Sequence, residues 1–491
     1  MLCANTPSTE MTRAPDRTVS ALLAAAAIDA SSRVLVEDEH VALSGADLAT
    51  RVASATARLI EAGLGAGDRV ALWLANSVGF VEAFLGVLAC GADAFVLAPV
   101  APPAEVQRAL QATTTRALVG AGDVAAVAPA GIAALTSGVD GLTIARALPP
   151  HGAAPRAPRP SDPAFVAYSS GTTGHAHLVI RTQENLWWEA ENIAVTTGLG
   201  PHDAILGVVP LSHSYGLGNA LLTSLRTGAR LVLRPRFLRR QTLDLLAAGS
   251  ITMFPTVPFM ARMLATTDPR RRWDLSSVRL CFSAGAPLTR DVYDAFLERF
   301  AIPIRQLYGL TEAGDVALNM APAAEIDPAS VGRPIGNVAV TIEDAGGAEV
   351  PRGEAGEIVV RSGSAMGGTA QPLHTHDQGR WTARGDLVIT GRTSLFINSA
   401  GNKVNPTEVE AALRIHPGVA DVAVFGVAAP HGDQHVHAVV VQRTPCTADE
   451  LRVHCGTLLA SYKVPRVVTF RDSLPRSPLG KVLIGRLLAE A

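Results

Sequence analysis

Residues 169–182 read SSGTTGHAHLVIRT, and their types suit the binding of a polyphosphate. Ser169, Ser170, Thr172 and Thr173 offer hydroxyls, while Gly171 and Gly174 let backbone N–H groups close on an anion. The spacing is not that of a Walker loop, G-x-x-x-x-G-K-[ST], and on its own such a stretch is more often a flexible turn. A triphosphate also asks for a cation, yet Ala176, His177 and Leu178 stand where a lysine is expected. Lysine is scarce throughout: of 42 lysines plus arginines, lysine stands only at 403, 463 and 481. A GC-rich genome with three chance survivors would explain any one of them. Their gathering near the C-terminal end argues for chemistry, because arginine's planar fork does not replace a compact ammonium at a tight reactive centre.

The elements that must position these groups alternate along the chain. A length of 491 residues is too great for one compact core and predicts two or three domains. Residues 1–18 are loose and polar, and they predict a flexible start. "SGADLATRVASATARLIEAGLGAGDRVALWLAN" reads as a capped amphipathic helix, a glycine stop and a strand, and "VEAFLGVLACGADAFVLAP" repeats helix then strand. This alternation predicts an α/β fold with a mostly parallel sheet. Residues 149–163 are Pro/Ala/Arg-rich and resemble a linker between subdomains. "PAFVAY" predicts a strand running into the glycine loop, with the helix "QENLWWEAENIAV" after it. Strands are expected near 205–209, 230–234, 251–254, 278–282 and 303–307, and from 330 the texture turns to β with Gly-rich turns. The last hundred or so residues read as a small α+β unit. Asn405 caps a helix with Pro406 first and Glu408 placed for a capping box; Thr447 and Glu450 form a second box.

Composition excludes several classes. A net charge of −2 gives no electrostatic footprint for nucleic acid or an anionic membrane. Apolar runs are short, and none reaches the ~20 residues of a membrane span. Five cysteines without metal or redox spacing make a cytoplasmic protein with free thiols the expectation.

Three further segments turn the loop into part of a set: "QLYGLTEAG" (306–314), "LHTHDQGRWTARGDLVITGR" (373–392) and "LPRSPLGKVLIGRLL" (474–488). With the loop they resemble the acyl-adenylate-forming superfamily of acyl-CoA and aryl-CoA ligases, peptide-synthetase adenylation domains and luciferases. The resemblance runs from about residue 19 to the end, in family order and spacing, and is closest in style to acyl-CoA ligases. It implies a large AMP-binding domain over 19–392 and a mobile lid domain over 393–491. "SAGAPL" (283–288) and "PLSHSYGLG" (210–218) lie where the family places its adenine and acyl pockets.

The resemblance also implies roles. Thr172, Thr173 and Thr311 contact phosphates, supported by Ser170, Gly171 and Gly174; Mg²⁺ is held near Glu312; adenine packs between Gly285, Ala286, Pro287 and Tyr308, beside Gly309. Counting back from Arg392 at family spacing lands on Thr375-His376-Asp377, so Asp377 is the ribose ligand with His376 in the glycine's place. Asp386 in "ARGDL" then belongs to an ordinary hairpin turn. His374 and His376 as an H-x-H metal pair is the competing idea. Lys481 matches the catalytic lysine that bridges the attacking carboxylate and the α-phosphate. Gly401 lines a pantetheine tunnel, and Lys403 and Lys463 are candidates for CoA phosphate contacts.

Two positions depart from the family pattern. His177 replaces the loop lysine and can attract the outgoing phosphates only when protonated, and Leu395 stands where the domain hinge carries Asp or Lys. The acyl stretch, with His213, Ser214 and Tyr215, has no acid for an α-ammonium, so a carboxylic acid without an amino group is expected. Trp187 and Trp188 are candidates for its tunnel, though neighbours on a helix face different ways. The resemblance implies ATP, Mg²⁺ and CoA, or the phosphopantetheine of a carrier protein, with the acid as small-molecule partner. Monomer and homodimer stay open. So does a non-catalytic nucleotide-binding relic, against which retention of Lys481, Glu312 and Asp377 argues.

Overall fold

The computed structural model describes residues 16–149, 156–168, 178–268, 270–392, 397–399, 402–428, 434–459, 461–477, 480 and 482–490. The Ser/Thr/Gly loop, Leu395, Gly401 and Lys481 lie outside the described residues.

Two large sheets carry the first 330 or so residues. One has seven strands in the spatial order Gly141–Arg146, Ala133–Gly138, Thr115–Gly120, Arg69–Trp73, Asp93–Val96, Pro163–Tyr168 and Leu178–Thr182. Its inner pairings are parallel, and only the two edge strands run antiparallel. Period-two alternation puts Val70, Leu72, Ala94, Val96 and Phe165 into the main core, while Ala71, Phe95, Leu118 and Val166 face a second cluster on the other side. Burial on both faces is why these strands read as near-continuous apolar runs.

The second sheet has nine strands. Parallel members Arg305–Leu310, Leu280–Ser283, Met253–Thr256, Ala204–Gly207, Arg230–Leu233 and Val34–Glu37 occupy its centre, flanked by antiparallel edges. The five strands expected between 205 and 307 are all present. Between the sheets lies the helix Val78–Ala89, buried along almost its whole length and capped by Ser77. The helix Gly45–Glu61 carries the expected cap, a reciprocal Ser44–Asp47 box.

A four-stranded antiparallel sheet follows, in the order Ala339–Glu343, Gly356–Arg361, Leu373–Trp381 and Leu387–Arg392. The C-terminal unit has its own three-stranded sheet, Val419–Ala428, Gln434–Gln442 and Val467–Arg471. Small cores lie on its two faces, Val422, Val424, Val436 and Val440 on one, Ala423, Phe425 and Val439 on the other.

Three local expectations need correction. The glycine loop does not lead straight into a helix: Leu178–Thr182 first returns antiparallel to Pro163–Tyr168, with Tyr168 opposite Leu178. Val179, Ile180 and Thr182 are β-branched, which favours this strand. The helix Gln183–Thr197 then starts at a Thr182–Asn185 capping box. Arg17 and Thr18, assigned to the flexible start, are held in place. Thr18 caps the first helix, Val19–Asp29, and Arg17 pairs with Glu184 at 2.9 Å. Glu408 forms no capping box, because both its oxygens accept from Lys463 Nζ at 2.7 Å; Asn405 caps its helix alone, through Thr407 N–H.

Candidate functional site

Those expected nucleotide and acyl residues that lie among the described ones gather around the carboxyl ends of the parallel strands of the larger sheet, where open α/β sheets bind ligands. Leu280–Ser283 ends in the turn Gly285–Pro287, in which Gly285 takes φ +82° and Gly285 and Pro287 stay exposed. Arg305–Leu310 carries Tyr308 and Gly309 at its end and leads into the turn of Thr311 and Glu312. Gly309 has no room for a side chain, since a Cβ there would stand 2.7 Å from the Gly314 carbonyl oxygen.

Asp377 reaches this edge from the four-stranded sheet. Its Oδ2 accepts from the Tyr308 hydroxyl at 2.7 Å, so the expected adenine and ribose residues meet side chain to side chain. The Thr375 hydroxyl accepts from Asp377 N–H at 3.1 Å and donates to the Ile358 carbonyl, fixing the carboxylate's approach. His376, at the family's glycine position, adopts φ +59°, the left-handed region in which glycine is at ease. Both His374 and His376 turn to Glu357, at 3.3 and 3.2 Å. Asp386 lies in the hairpin turn Thr382–Asp386 and pairs with Arg333 at 3.2 Å, away from Asp377. Arg392 lies opposite Asp377 in the strand register.

His213 caps the short helix Ser214–Gly216, its Nδ1 accepting from Tyr215 N–H at 3.3 Å. The Tyr215 hydroxyl donates to the Thr256 carbonyl at 3.1 Å, and burial pushes its pKa well above the phenol range. No acid stands in the local stretch, but two arrive from elsewhere. Asp315 Oδ2 accepts from Asn219 Nδ2 at 2.7 Å, and Glu189 packs so closely on Gly218 that a Cβ there would meet its Oε1 at 2.1 Å. Arg181 holds Glu189 at 2.6 Å, with both side chains about 1% exposed. Burial pushes the Glu189 carboxyl up despite Arg181. It pushes Asp315 well above the carboxylate range, with the Glu189 charge adding to the effect. Both acids are already engaged within the fold, Glu189 by Arg181 and Asp315 by Asn219.

This buried set is what sequence reasoning missed. The available signal was a charge inside an otherwise apolar strand, "LVIRT", and an Asp immediately after "TEAG". Trp187 and Trp188 pack against one another and against Arg17. Their rings meet edge to face at 5.1 Å, both lie under the Arg17 guanidinium, and Trp188 packs on Gly363.

The C-terminal unit touches the same edge. Gly480, whose carbonyl leads into Lys481, takes φ +79° and sits so close to Phe259 that a Cβ would stand 2.8 Å from that side chain. Phe259 follows the strand Met253–Thr256, so the residue before Lys481 is brought to the carboxyl edge. The Gly480 carbonyl accepts from Arg476, which also pairs with Asp421. Lys463 is engaged by Glu408 as described above, and Lys403 lies on the hairpin Ile397–Ser399/Asn402–Val404, its backbone opposite Asn398.

The donors at the Glu312 turn suit Mg²⁺, which keeps several waters and binds through one or two carboxylates plus substrate phosphates. Among the described residues there is no group of three or more His, Cys, Asp or Glu built to hold a metal by itself.

Comparison with known proteins agrees with this geometry. The AMP-binding enzyme family matches residues 23–369, and the AMP-binding enzyme C-terminal domain matches residues 408–481. Sulfoacetate–CoA ligase of Cupriavidus necator is 32% identical, over 96% of this chain and 98% of that protein. Feruloyl-CoA synthase of an Amycolatopsis species is 32% identical, over 91% and 93%. Among solved structures, ATP-bound MatB of Rhodopseudomonas palustris superposes with a TM-score of 0.84 at 25% identity, over 97% of this chain and 99% of that one. The amide bond synthetase McbA of Marinactinospora thermotolerans gives 0.80 at 29%, over 95% and 99%. The chain belongs to the AMP-binding enzyme family. Within it, the chain is an AMP-forming acid–thiol ligase of the acyl-CoA synthetase type, using ATP and Mg²⁺. No helix among the described residues is long and apolar enough to cross a membrane.

Proposed function

We propose that this enzyme activates a carboxylic acid lacking an α-amino group, aryl or aliphatic, and transfers the acyl group to the thiol of CoA. The observation that carries the reading is the meeting of Tyr308, Asp377, the Glu312 turn, the Gly285–Pro287 turn and His213 along one sheet edge, with Gly480 laid against that edge. The acid class rests on the engagement of the nearby carboxylates, Glu189 by Arg181 and Asp315 by Asn219, and on the relatives, which act on sulfoacetate and feruloyl substrates and, in Aromatoleum aromaticum, on indoleacetate.

In the first step a carboxylate oxygen attacks the α-phosphorus of ATP. That P–O bond forms as the bond to the bridging oxygen of the β-phosphate breaks, and pyrophosphate leaves. No enzyme nucleophile is needed; orientation and charge stabilisation carry the step. Asp377 accepts from the ribose hydroxyls, Gly285–Pro287 and Tyr308 hold adenine, and Lys481 bridges the two reacting anions. Glu312 would hold Mg²⁺, which would supply neutralisation of the phosphate charge. In the second step the CoA thiol, its proton passed to water, attacks the acyl carbon and AMP departs. Loading of a carrier protein uses the same chemistry and remains the alternative acceptor.

The test is ATP–pyrophosphate exchange across aryl, aliphatic and amino acids, followed by product analysis with CoA or a carrier protein as acceptor. Exchange with carboxylic acids and acyl-CoA as product is expected. Preference for free α-amino acids, or no exchange with any acid, would sink the reading.

A further inference from the structure

Arg181 is the largest fully buried side chain among the described residues, on the strand that leaves the Ser/Thr/Gly loop. Its strand neighbour on the same face is Val179, also fully buried, so an apolar residue would suit position 181 for packing alone. A buried ion pair is weak support for stability, because desolvation offsets the Coulombic attraction. Its guanidinium nevertheless reaches three elements. Nη1 donates to Glu189 Oε2 at 2.6 Å and to Ser214 Oγ at 3.3 Å; Nη2 donates to the Ser364 carbonyl at 3.0 Å and the Asn185 carbonyl at 3.3 Å.

The carbonyls on either side of Ser364 are also held. Asn185 Nδ2 donates to those of Gly363 and Ala365, both at 2.8 Å. The next residue, Met366, donates its N–H to the Glu312 carbonyl at 2.8 Å. Gly314, just past Glu312, lies so close that a Cβ there would stand 2.9 Å from Arg181 Nη2.

We propose that Arg181 is a positioning residue for adenylate formation: it fastens the strand leaving the phosphate loop to the turn that carries Glu312. The planar fork fits this task because it binds a carboxylate and a carbonyl on different elements at once, which a lysine ammonium on a flexible stem does not. The proposal rests on the reading of Glu312 as the Mg²⁺ ligand.

The test compares the two half-reactions in Arg181→Met/Glu189→Leu, which removes both charges together and leaves neither buried alone. Pyrophosphate exchange is expected to fall about tenfold or more, converted from the ~1.4 kcal/mol that a tenfold rate change represents, with a higher half-saturating Mg²⁺ concentration. Thiolysis of a supplied acyl-adenylate by CoA should stay within about twofold, since no phosphoryl transfer occurs in it. Arg181→Lys, which keeps the charge against Glu189, should show the same selectivity at smaller size and guards against a double variant that fails to fold. Equal loss of both half-reactions, or unchanged exchange, in either variant would overturn the proposal. Glu312→Gln in the same assay tests the underlying reading: if exchange and Mg²⁺ dependence do not change, Glu312 is not the ligand and the proposal falls with it.

Discussion

At the scale of single residues, the reading turns on two positions where this chain departs from its family. His177 stands in place of the loop lysine. An imidazole attracts the outgoing phosphates only as a cation, so restoring a permanent charge with His177→Lys should preserve the exchange rate and flatten its fall on the alkaline side of neutrality. His177→Ala should cost about tenfold or less, because Lys481 and backbone amides remain. One shared pH profile for all three proteins between pH 6 and 9 would show that the imidazole takes no part. Lys481→Ala, by contrast, should lower exchange roughly a hundredfold or more while ATP affinity changes little, as expected for a contact made in the transition state. His376, in the family's glycine position, is a further departure beside Leu395. Its backbone sits at φ +59° with the side chain largely exposed, and its pairing with Glu357 is of the exposed kind that contributes little. His376→Gly should therefore raise unfolding stability by about 0.5–1 kcal/mol in denaturant titration, the strain relieved less the added chain entropy. A destabilised variant would show that the Glu357 contact outweighs the strain.

At the scale of elements, the C-terminal unit makes two predictions. Gly480→Ala would place a Cβ 2.8 Å from Phe259 and in an unfavourable backbone region. Adenylate formation should fall, and adding Phe259→Gly, which removes the Cβ that the new methyl would meet, should restore part of it by opening the space. No recovery in the double variant would show that the Phe259 contact is not what seats Gly480. His437 lies buried on the strand Gln434–Gln442, stacked on Phe425 at 5.1 Å with Thr469 at 3.3 Å, and burial pushes its pKa below the ordinary histidine value. A depressed folded-state pKa favours the unfolded chain once protons bind it preferentially. The stability His437 contributes is thus present above about pH 6.5 and lost as pH falls through its folded-state value. Protection factors of the amides on this strand, with the intrinsic pH dependence of exchange divided out, should fall below about pH 6.5 in the native chain and not in His437→Gln. The same fall in both would assign it to other groups.

At the scale of the whole molecule, we propose a domain division at 392/393, with separate cores on either side of it. A chain ending at Arg392 is expected to unfold cooperatively in calorimetry and to keep ATP binding within about tenfold. It should lose exchange, since Lys481 lies beyond the cut. Failure to unfold cooperatively would sink the division.

Local signals determined a great deal of this protein. The helix–strand alternation, the Ser44–Asp47 and Thr447–Glu450 capping boxes and the parallel strands between 204 and 310 all follow from short-range patterns, because capping and amphipathic period are decided within a few residues. Motif spacing makes Asp377 rather than Asp386 the expected ribose ligand; in the structure Asp377 meets Tyr308 and Asp386 pairs with Arg333. Tertiary structure decided what depends on partners far apart in the chain. Glu408 has the right spacing for a cap, but it is taken by Lys463, fifty-five positions away. The acyl stretch has no acid of its own, yet Glu189 and Asp315 approach it from a helix and a strand distant in sequence. Arg181 looks misplaced in an apolar strand until the carbonyl of Ser364 and the carboxylate of Glu189 close around it. Local patterns report how one segment folds on itself. A buried charge is tolerated only where other segments deliver its partners, and that delivery is a property of the assembled fold.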